Sequence, residues 1–409
     1  MFEQGRGRSK VTLESTEKTM AKISPEKLEK YRRVNETLSN FAGQPEVIRK
    51  FMNRMSDEKV GWTSTQNLSW MGFFKAPFSH DVENADIAIT GCGIDYGTLS
   101  ETGNMRHAPA YLRFKSRYGI PLHGEWEMAP FEMARIIDMG DIDIFGLNYG
   151  QAIDHLKSYM MMAAEAGNLL LNFGGEHSTA HAFEPAVARL AEKYYDGEPF
   201  GGVHFDGHPD ALTKKDTEGF TDEERENANF LTRSIADGIL DPEKFFMFGI
   251  KETGSSTLSG HLTTRELGIK TVGPLELFDK GPRYFADMVA ERIGDSPCII
   301  ECDLDGLDAA ESGGGLSTMD GFGLRWQDYR IISRAFKGKN LIGANIVEYA
   351  PANDPSGATG TNVCNLGFEY LCMLVDTKVR LNNGEHRQTK WEHNMSTSPG
   401  YPAAGGAGC

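Results

Sequence analysis

The segment HFDGHPD sets Asp206, His208 and Asp210 directly after the apolar run Gly202–Phe205. Residues two apart in extended chain point the same way, so these three side chains are expected to converge at the end of a strand. A second apolar run, CIIECDLDGLD, ends on Asp303 and Asp305 in the same relation, with Asp308 shortly beyond; a third, LLLNFGGEHS, ends on His177 just after a Gly-Gly turn. Three neighbouring strand ends would then deliver four carboxylates and two imidazoles to one crevice. So many carboxylates repel one another and stay ionised only beside cations, which makes a metal site the natural expectation. Mixed Asp and His donors suit Mn, Ni, Zn or Fe better than Ca or Mg. Six donors suffice for two ions about 3.5–4 Å apart that share carboxylates, a spacing at which a water between them is acidified near neutral pH. Any one of these residues by itself would more often be a helix cap or a satisfied core histidine. It is DxHxD, DxD and GGxH together that outweigh that reading.

These residues need a scaffold, and the chain supplies one. From Ala85 onward, apolar strand candidates alternate with amphipathic helix candidates, the rhythm of βαβ units in a parallel sheet. Eight strands are expected: Ile87–Thr90, Arg135–Asp138, Leu169–Phe173, Gly202–Phe205, Phe245–Phe248, Ile269–Val272, Cys298–Asp303 and Gly343–Val347. Helical periodicity is clearest in Tyr149–Ala166, Thr179–Tyr195, Arg283–Ile293, Arg325–Phe336 and Val363–Val375. The first four lie between strands, so the sheet should be buried on both faces. Ligands in such sheets sit at the carboxyl ends of the strands, where the donors fall. Residues 1–80 read as a partly helical extension: a charged, helix-prone stretch, Ser24–Phe51, precedes a Trp- and Phe-bearing segment, Trp62–Phe78, that packs on the main domain or on a neighbouring subunit. Residues 81–380 form the catalytic domain, and the polar, Gly- and Pro-rich stretch 381–409 is a tail.

Composition narrows the partners. The 409 residues carry a formal net charge of -16, which repels a phosphate backbone and excludes nucleic acid as a natural partner. The longest apolar stretches, Asn168–Phe173 and Pro297–Cys302, fall far short of the ~20 residues that cross a membrane. The N-terminus lacks the apolar core of a secretory signal, so a cytoplasmic protein is expected. Of the six cysteines, none forms a CxxC pair and four lie in apolar runs, as reduced core thiols do. Cys298 and Cys302 are four apart, but on a strand that spacing builds no metal site.

The motifs Gly174-Gly175-Glu176-His177-Ser178, Asp206-Gly207-His208-Pro209-Asp210 and Asp303-Leu304-Asp305-Gly306-Leu307-Asp308, followed by IVEYAPANDPSGATG, come in the order seen in the ureohydrolases, the family of arginase and agmatinase. The chain resembles that family from about Ala85 to about Val379. The resemblance implies an α/β, arginase-like three-layer fold with a mainly parallel eight-stranded sheet, and trimers or hexamers. It implies that His177, Asp206, Asp210 and Asp303 hold one metal while Asp206, His208, Asp303 and Asp305 hold the other. Asp210 would pass a proton to the leaving amine, and Glu348 would pair with the guanidinium of the substrate.

The departures bear on specificity. Gly207 and Pro209 replace the family's Ala and small hydroxylated residue without removing a ligand. DGLDAAESGGGLSTMDGFG replaces a Pro-rich loop that borders the substrate. Asn227 and Ala228 stand where agmatinase-like members carry His-Gly, and His107 stands where Phe or Tyr is frequent. Asn227 and His107 are thus candidate substrate contacts, although a His at such a place more often bonds the start of a helix. These changes resemble the guanidine hydrolase branch, with the mixed-subunit metformin hydrolases as neighbours, and that resemblance implies two divalent ions, Ni(II) ahead of Mn(II). Hydrolysis of guanidine or a biguanide is the leading expectation. Agmatinase or guanidinobutyrase activity is the alternative, as is a role beside a homologous second subunit. A non-catalytic assembly subunit would have lost ligands, and a metallophosphatase would need cationic groups for phosphate.

Overall fold

The structure, a computed structural model, describes residues 24–37, 45–50, 72–96, 104–216, 218, 228–251, 253, 258–318 and 321–385. Its centre is one eight-stranded sheet in the order β2-β1-β3-β8-β7-β4-β5-β6. The strands are β1 Ile87–Gly91, β2 Ile136–Asp141, β3 Leu169–Phe173, β4 Phe200–Phe205, β5 Leu240–Phe248, β6 Lys270–Val272, β7 Pro297–Asp303 and β8 Asn340–Val347. Every pairing is parallel. β1, β3, β4, β7 and β8 are buried along their whole length, which is why they read as continuous apolar runs rather than alternating ones.

Two helix layers cover the faces. Gly343 of β8 meets Phe183 and Val187 of the helix Ala180–Tyr194, whereas Ile346, three residues on, meets Gly367 of the helix Ala358–Asn382 on the opposite face. Phe205 of β4 stacks on Tyr329 of the helix Trp326–Ser333, ring centroids 4.3 Å apart. The expected helix Tyr149–Ala166 is present with those bounds, closed by an Asn148–Gln151 capping box and a left-handed Gly167. The last helix has 25 residues and extends its periodic segment at both ends, because buried positions run from Thr359 to Leu381.

Part of the N-terminal segment packs on this domain. Phe73 stacks on Phe173 at 4.2 Å, its N–H donates to Asp138 Oδ2 at 2.8 Å, and the Arg113 guanidinium covers its ring at 4.4 Å. Trp62 and the C-terminal tail beyond Glu385 lie outside the described residues. Among the described residues no helix is long and apolar enough to cross a membrane, and Cys92, Cys298, Cys302, Cys364 and Cys372 are free and buried.

Candidate metal centre

The chain leaves β3 and re-enters the sheet at β4, and β8 and β7 later fill the gap between them. This is the switch point of the winding, where strand ends diverge and leave a crevice. The sequence suggested three neighbouring donor-bearing strand ends, but in the sheet only two of them are neighbours. β4 and β7 are adjacent, but β8 separates β7 from β3, and β8 brings Glu348 into the middle of the row.

Asp303 is delivered by the strand itself, and the donors beyond the strand ends are delivered by turns. β4 ends at Phe205; Gly207 and His208 form a bend, and Asp210 adopts a left-handed φ of 42°. On β7, Asp303 is the last strand residue, and Asp305 sits in the single 3-10 turn Leu304–Gly306, its N–H donating to Asp303 Oδ1 at 2.8 Å. After β3 the chain turns through Gly174 and Gly175, and a Cβ on Gly175 would lie 2.0 Å from the Ile94 carbonyl oxygen. Only glycine permits that approach.

The result is a crowd of donors. His177 Nδ1 lies 3.2 Å from Asp206 Oδ2, 3.1 Å from Asp210 Oδ2 and 3.0 Å from Asp303 Oδ2. His208 Nδ1 lies 3.1 Å from Asp305 Oδ2 and 3.4 Å from Asp206 Oδ1. Asp206 thus turns one carboxylate oxygen toward each histidine, as a bridging ligand would. Among the described residues neither ring nitrogen of His177 has a hydrogen-bond partner of acceptable geometry, although the side chain is buried. A single N–H cannot serve three carboxylates, whereas donors bound at about 2.1 Å to one ion stand about 3.0–3.4 Å from each other. The spacing fits a metal ion among these groups.

The electrostatics agree. Burial, then the neighbouring Asp305 and Asp206, push the Asp303 carboxyl well above the carboxylate range; burial and Asp206 raise Asp210. For Asp206 burial acts in the same direction, but His204, His177 and His208 outweigh it and hold the group well below. Burial disfavours a charged His177 ring, yet contacts with Asp206, Asp210, Asp303 and Glu301 leave it raised; Asp305 chiefly raises His208. Protons are doing what cations would do better, since a carboxylate beside a divalent ion ionises readily.

Glu348 is buried, in a left-handed conformation with φ 64°, and its Oε1 accepts the backbone N–H of His177 at 2.8 Å. Burial first, and Asp305 next, push its carboxyl up to about 8. The altered loop runs alongside it. Leu316 bridges to Tyr349, and Ser317 N–H donates to the Glu348 carbonyl at 3.3 Å. Gly313, Gly314 and Gly315 all take positive φ, held by Thr359 and Asn353 of the segment following Glu348. Asp308 caps this loop, accepting from Ala310 N–H and Gly323 N–H, and is no donor to the cluster. His107 is exposed at the start of the helix Ala108–Ser116 and makes no capping bond there. Asn227 lies outside the described residues.

Three buried neighbours went unnoticed in the sequence. His204 Nε2 hydrogen-bonds Asp206 Oδ2 at 2.6 Å; its ring stands close enough to count among the potential ligands, but that bond already employs the nitrogen facing the cluster. Glu301 lies 3.7 Å from His177 Nε2. Phe230 stacks on His204 and lies 4.5 Å from the His177 ring, sealing both from water. His204 and Glu301 each stand two residues before a donor aspartate on the same strand face, and that spacing was the available signal.

Fold and donor set together are those of an arginase-fold, metal-dependent hydrolase of linear amidines. Residues 85–373 match the Arginase family, and the chain belongs to it. Guanidinopropionase of Pseudomonas aeruginosa is 27% identical over 308 residues, covering 75% of this chain and 92% of that protein. The mitochondrial agmatinase of Gallus gallus is 29% identical over 309 residues, covering 74% and 85%. Among solved structures, the proclavaminate amidino hydrolase of Streptomyces clavuligerus superposes with a TM-score of 0.67 at 24% identity, over 75% of this chain and 97% of that one. A formiminoglutamase of Trypanosoma cruzi solved with Mn2+ gives 0.62 at 17% identity, over 73% and 96%. At these identities the structural likeness shows the fold alone.

Proposed function

We propose that this chain hydrolyses the guanidino C–N bond of a small alkylguanidine of the agmatine or guanidino-acid kind, releasing urea and an amine. The observation that carries the reading is the buried Glu348 carboxylate, 2.8 Å from the His177 N–H and in the middle of the donor row. Relatives that act as guanidinopropionase and agmatinase favour this substrate class over the guanidine or biguanide that the altered loop suggested.

His177, Asp206, Asp210 and Asp303 would hold one ion, and Asp206, His208, Asp303 and Asp305 the other, with the two shared aspartates as bridges. Two divalent ions, Mn(II) or Ni(II), would supply a water acidified for attack on the guanidino carbon. Asp210 would take a proton and deliver it to the departing nitrogen. Glu348, ionised once cations stand near it, would pair with the planar guanidinium and orient its carbon. Five buried free thiols suit a cytoplasmic setting. Trimers or hexamers, with or without a homologous second subunit, are the assemblies to look for.

The test is to load metal-free protein with Mn(II) or Ni(II) and offer agmatine, guanidinopropionate, guanidinobutyrate, arginine, guanidine and metformin, assaying urea and amine. Turnover of agmatine or a guanidino acid supports the reading. Turnover of guanidine or metformin alone overturns it in favour of the branch the sequence suggested, and bound metal without turnover of any points to a missing partner subunit.

A further inference from the structure

One row of buried polar side chains crosses the sheet in register. Thr90 pairs with Asn172, Asn172 with Asn345, Asn345 with Glu301, and Glu301 with His204, on β1, β3, β8, β7 and β4 in turn. All five are fully buried. Such a row in the middle of a parallel sheet costs stability unless its members satisfy one another. They do so in one direction. Thr90 Oγ1 donates to Asn172 Oδ1, Asn172 Nδ2 to Asn345 Oδ1, and Asn345 Nδ2 to Glu301 Oε2, each at 2.8 Å. The chain of donors ends on an acceptor, Glu301, and that same Oε2 faces His177 Nε2 at 3.7 Å.

The ring of His177 has two sides with different company. Nδ1 is surrounded by Asp206, Asp210 and Asp303, the side on which an ion would sit; Nε2 looks back into the sheet at Glu301. A histidine that binds an ion through one nitrogen is oriented by the acceptor its other nitrogen finds. Among the described residues no hydrogen-bond partner of acceptable geometry serves Nε2. Glu301 Oε2, which accepts from Asn345 and has capacity for a second donor, lies 3.7 Å away, a few tenths of an ångström beyond bonding distance.

We propose that Glu301 is a positioning residue: it accepts the Nε2–H of His177 and so presents Nδ1 to the ion, while the row Thr90–Asn172–Asn345 holds Glu301 in place. This rests on the metal-centre reading above and extends it from the ligands to the sheet that aims them. A residue with this role acts on one ion, the one His177 holds, and leaves the ion of His208 and Asp305 alone.

The test is calorimetric titration of Mn(II) into metal-free full-length protein, with thermal unfolding of the metal-free state alongside. The parent should bind two ions. Glu301→Gln should weaken one of them about 10- to 100-fold, the range typical of partners that orient metal-bound histidines, and leave the other unchanged. Its metal-free form should unfold no earlier than the metal-free parent. Asn345→Ala, which keeps the carboxylate but frees it, should weaken the same ion by a smaller factor, and decides the matter alone if the glutamine variant does not fold. Affinity unchanged in these variants, or both ions weakened together with earlier unfolding of the metal-free protein, overturns the role given to Glu301. A parent that fails to take up two ions overturns the metal centre itself, a distinct result visible before any variant is made.

Discussion

The backbone N–H of His177 donates to Oε1 of Glu348 at 2.8 Å, so the turn that presents the first histidine and the carboxylate at the end of β8 are set against each other directly. The bond runs both ways across the switch point, since Glu348 N–H donates to the Gly175 carbonyl at 2.7 Å. The end of β3, which carries a candidate metal donor, and the end of β8, which carries a candidate substrate-binding carboxylate, are thereby fixed as one piece. Replacing Glu348 by Gln keeps the acceptor oxygen and the backbone bond while removing the charge. Such a variant should keep its metals and lose about 30-fold or more in kcat/KM toward a cationic guanidino substrate, as expected when one partner of a buried charge pair is lost. Steady-state kinetics with elemental analysis checks this; an unchanged kcat/KM moves Glu348 out of the site.

Asp206 faces His177 with one oxygen and His208 with the other. Asp206→Asn should therefore disturb both ions at once, lowering metal content below two per chain and activity by more than about 100-fold, beyond the loss typical of outer partners. Metal analysis of the purified variant decides the point, and a fully loaded variant would sink the bridge.

Metal should also show in stability. The crowded carboxylates are held by protons and histidines in the absence of cations, and an ion that binds only the folded chain stabilises it by about 2.7 kcal/mol at a hundredfold excess over its Kd. Adding Mn(II) to chelator-treated protein should raise Tm by about 5 °C or more. Differential scanning calorimetry with and without Mn(II) is the measurement, and no shift would count against the site.

Gly207 sits close against the turn after β7, with little room for a side chain. A Cβ there would lie 3.0 Å from the Asp305 carbonyl oxygen, 3.1 Å from its Oδ1 and 3.2 Å from Cε of the buried Lys251, whose Nζ donates to the same carbonyl at 2.9 Å. Gly207→Ala should cost about 1–3 kcal/mol by overpacking. Chemical denaturation would measure it; a neutral result would mean that Lys251 yields freely.

Away from the site, Glu369 gathers Arg330, Arg334 and His123 around one carboxylate. Burial would raise its pKa, but these partners outweigh burial and hold it at about 2, below the ordinary 4.5. A folded value below the unfolded one means that the stabilisation is present above about pH 4.5 and is lost as pH falls toward about 2. Glu369→Gln should thus unfold earlier than the parent near pH 7, and the gap should close on acidification. A gap independent of pH would show that the charge contributes nothing.

Much of this protein is legible in its residues. Each of the eight strands overlaps the apolar run expected to form it, most fully for the strands buried on both faces, because such a position demands a continuous apolar run; the polar first half of β5, Leu240–Lys244, carried no such signal. The six candidate donors are legible as a group too, since DxHxD, DxD and GGxH each follow an apolar strand run, and the fold brings those side chains together. What the linear chain does not carry is the order of the strands. That β8 enters between β3 and β7, setting Glu348 in the middle of the donors, follows from how helix layers pack on a twisted sheet over distances of more than a hundred residues. Nor does it carry the turns that aim the ligands: Asp210 and Glu348 hold left-handed conformations that local preference disfavours and that only the surrounding contacts impose. His204 and Glu301 looked like strand interior, and it took cross-strand register to put them beside Asp206 and His177. Residue type and spacing determined which groups the crevice would hold, because burial and repulsion act on composition; their mutual orientation was decided by the tertiary structure, because hydrogen bonds between strands distant in sequence exist only once the sheet has formed.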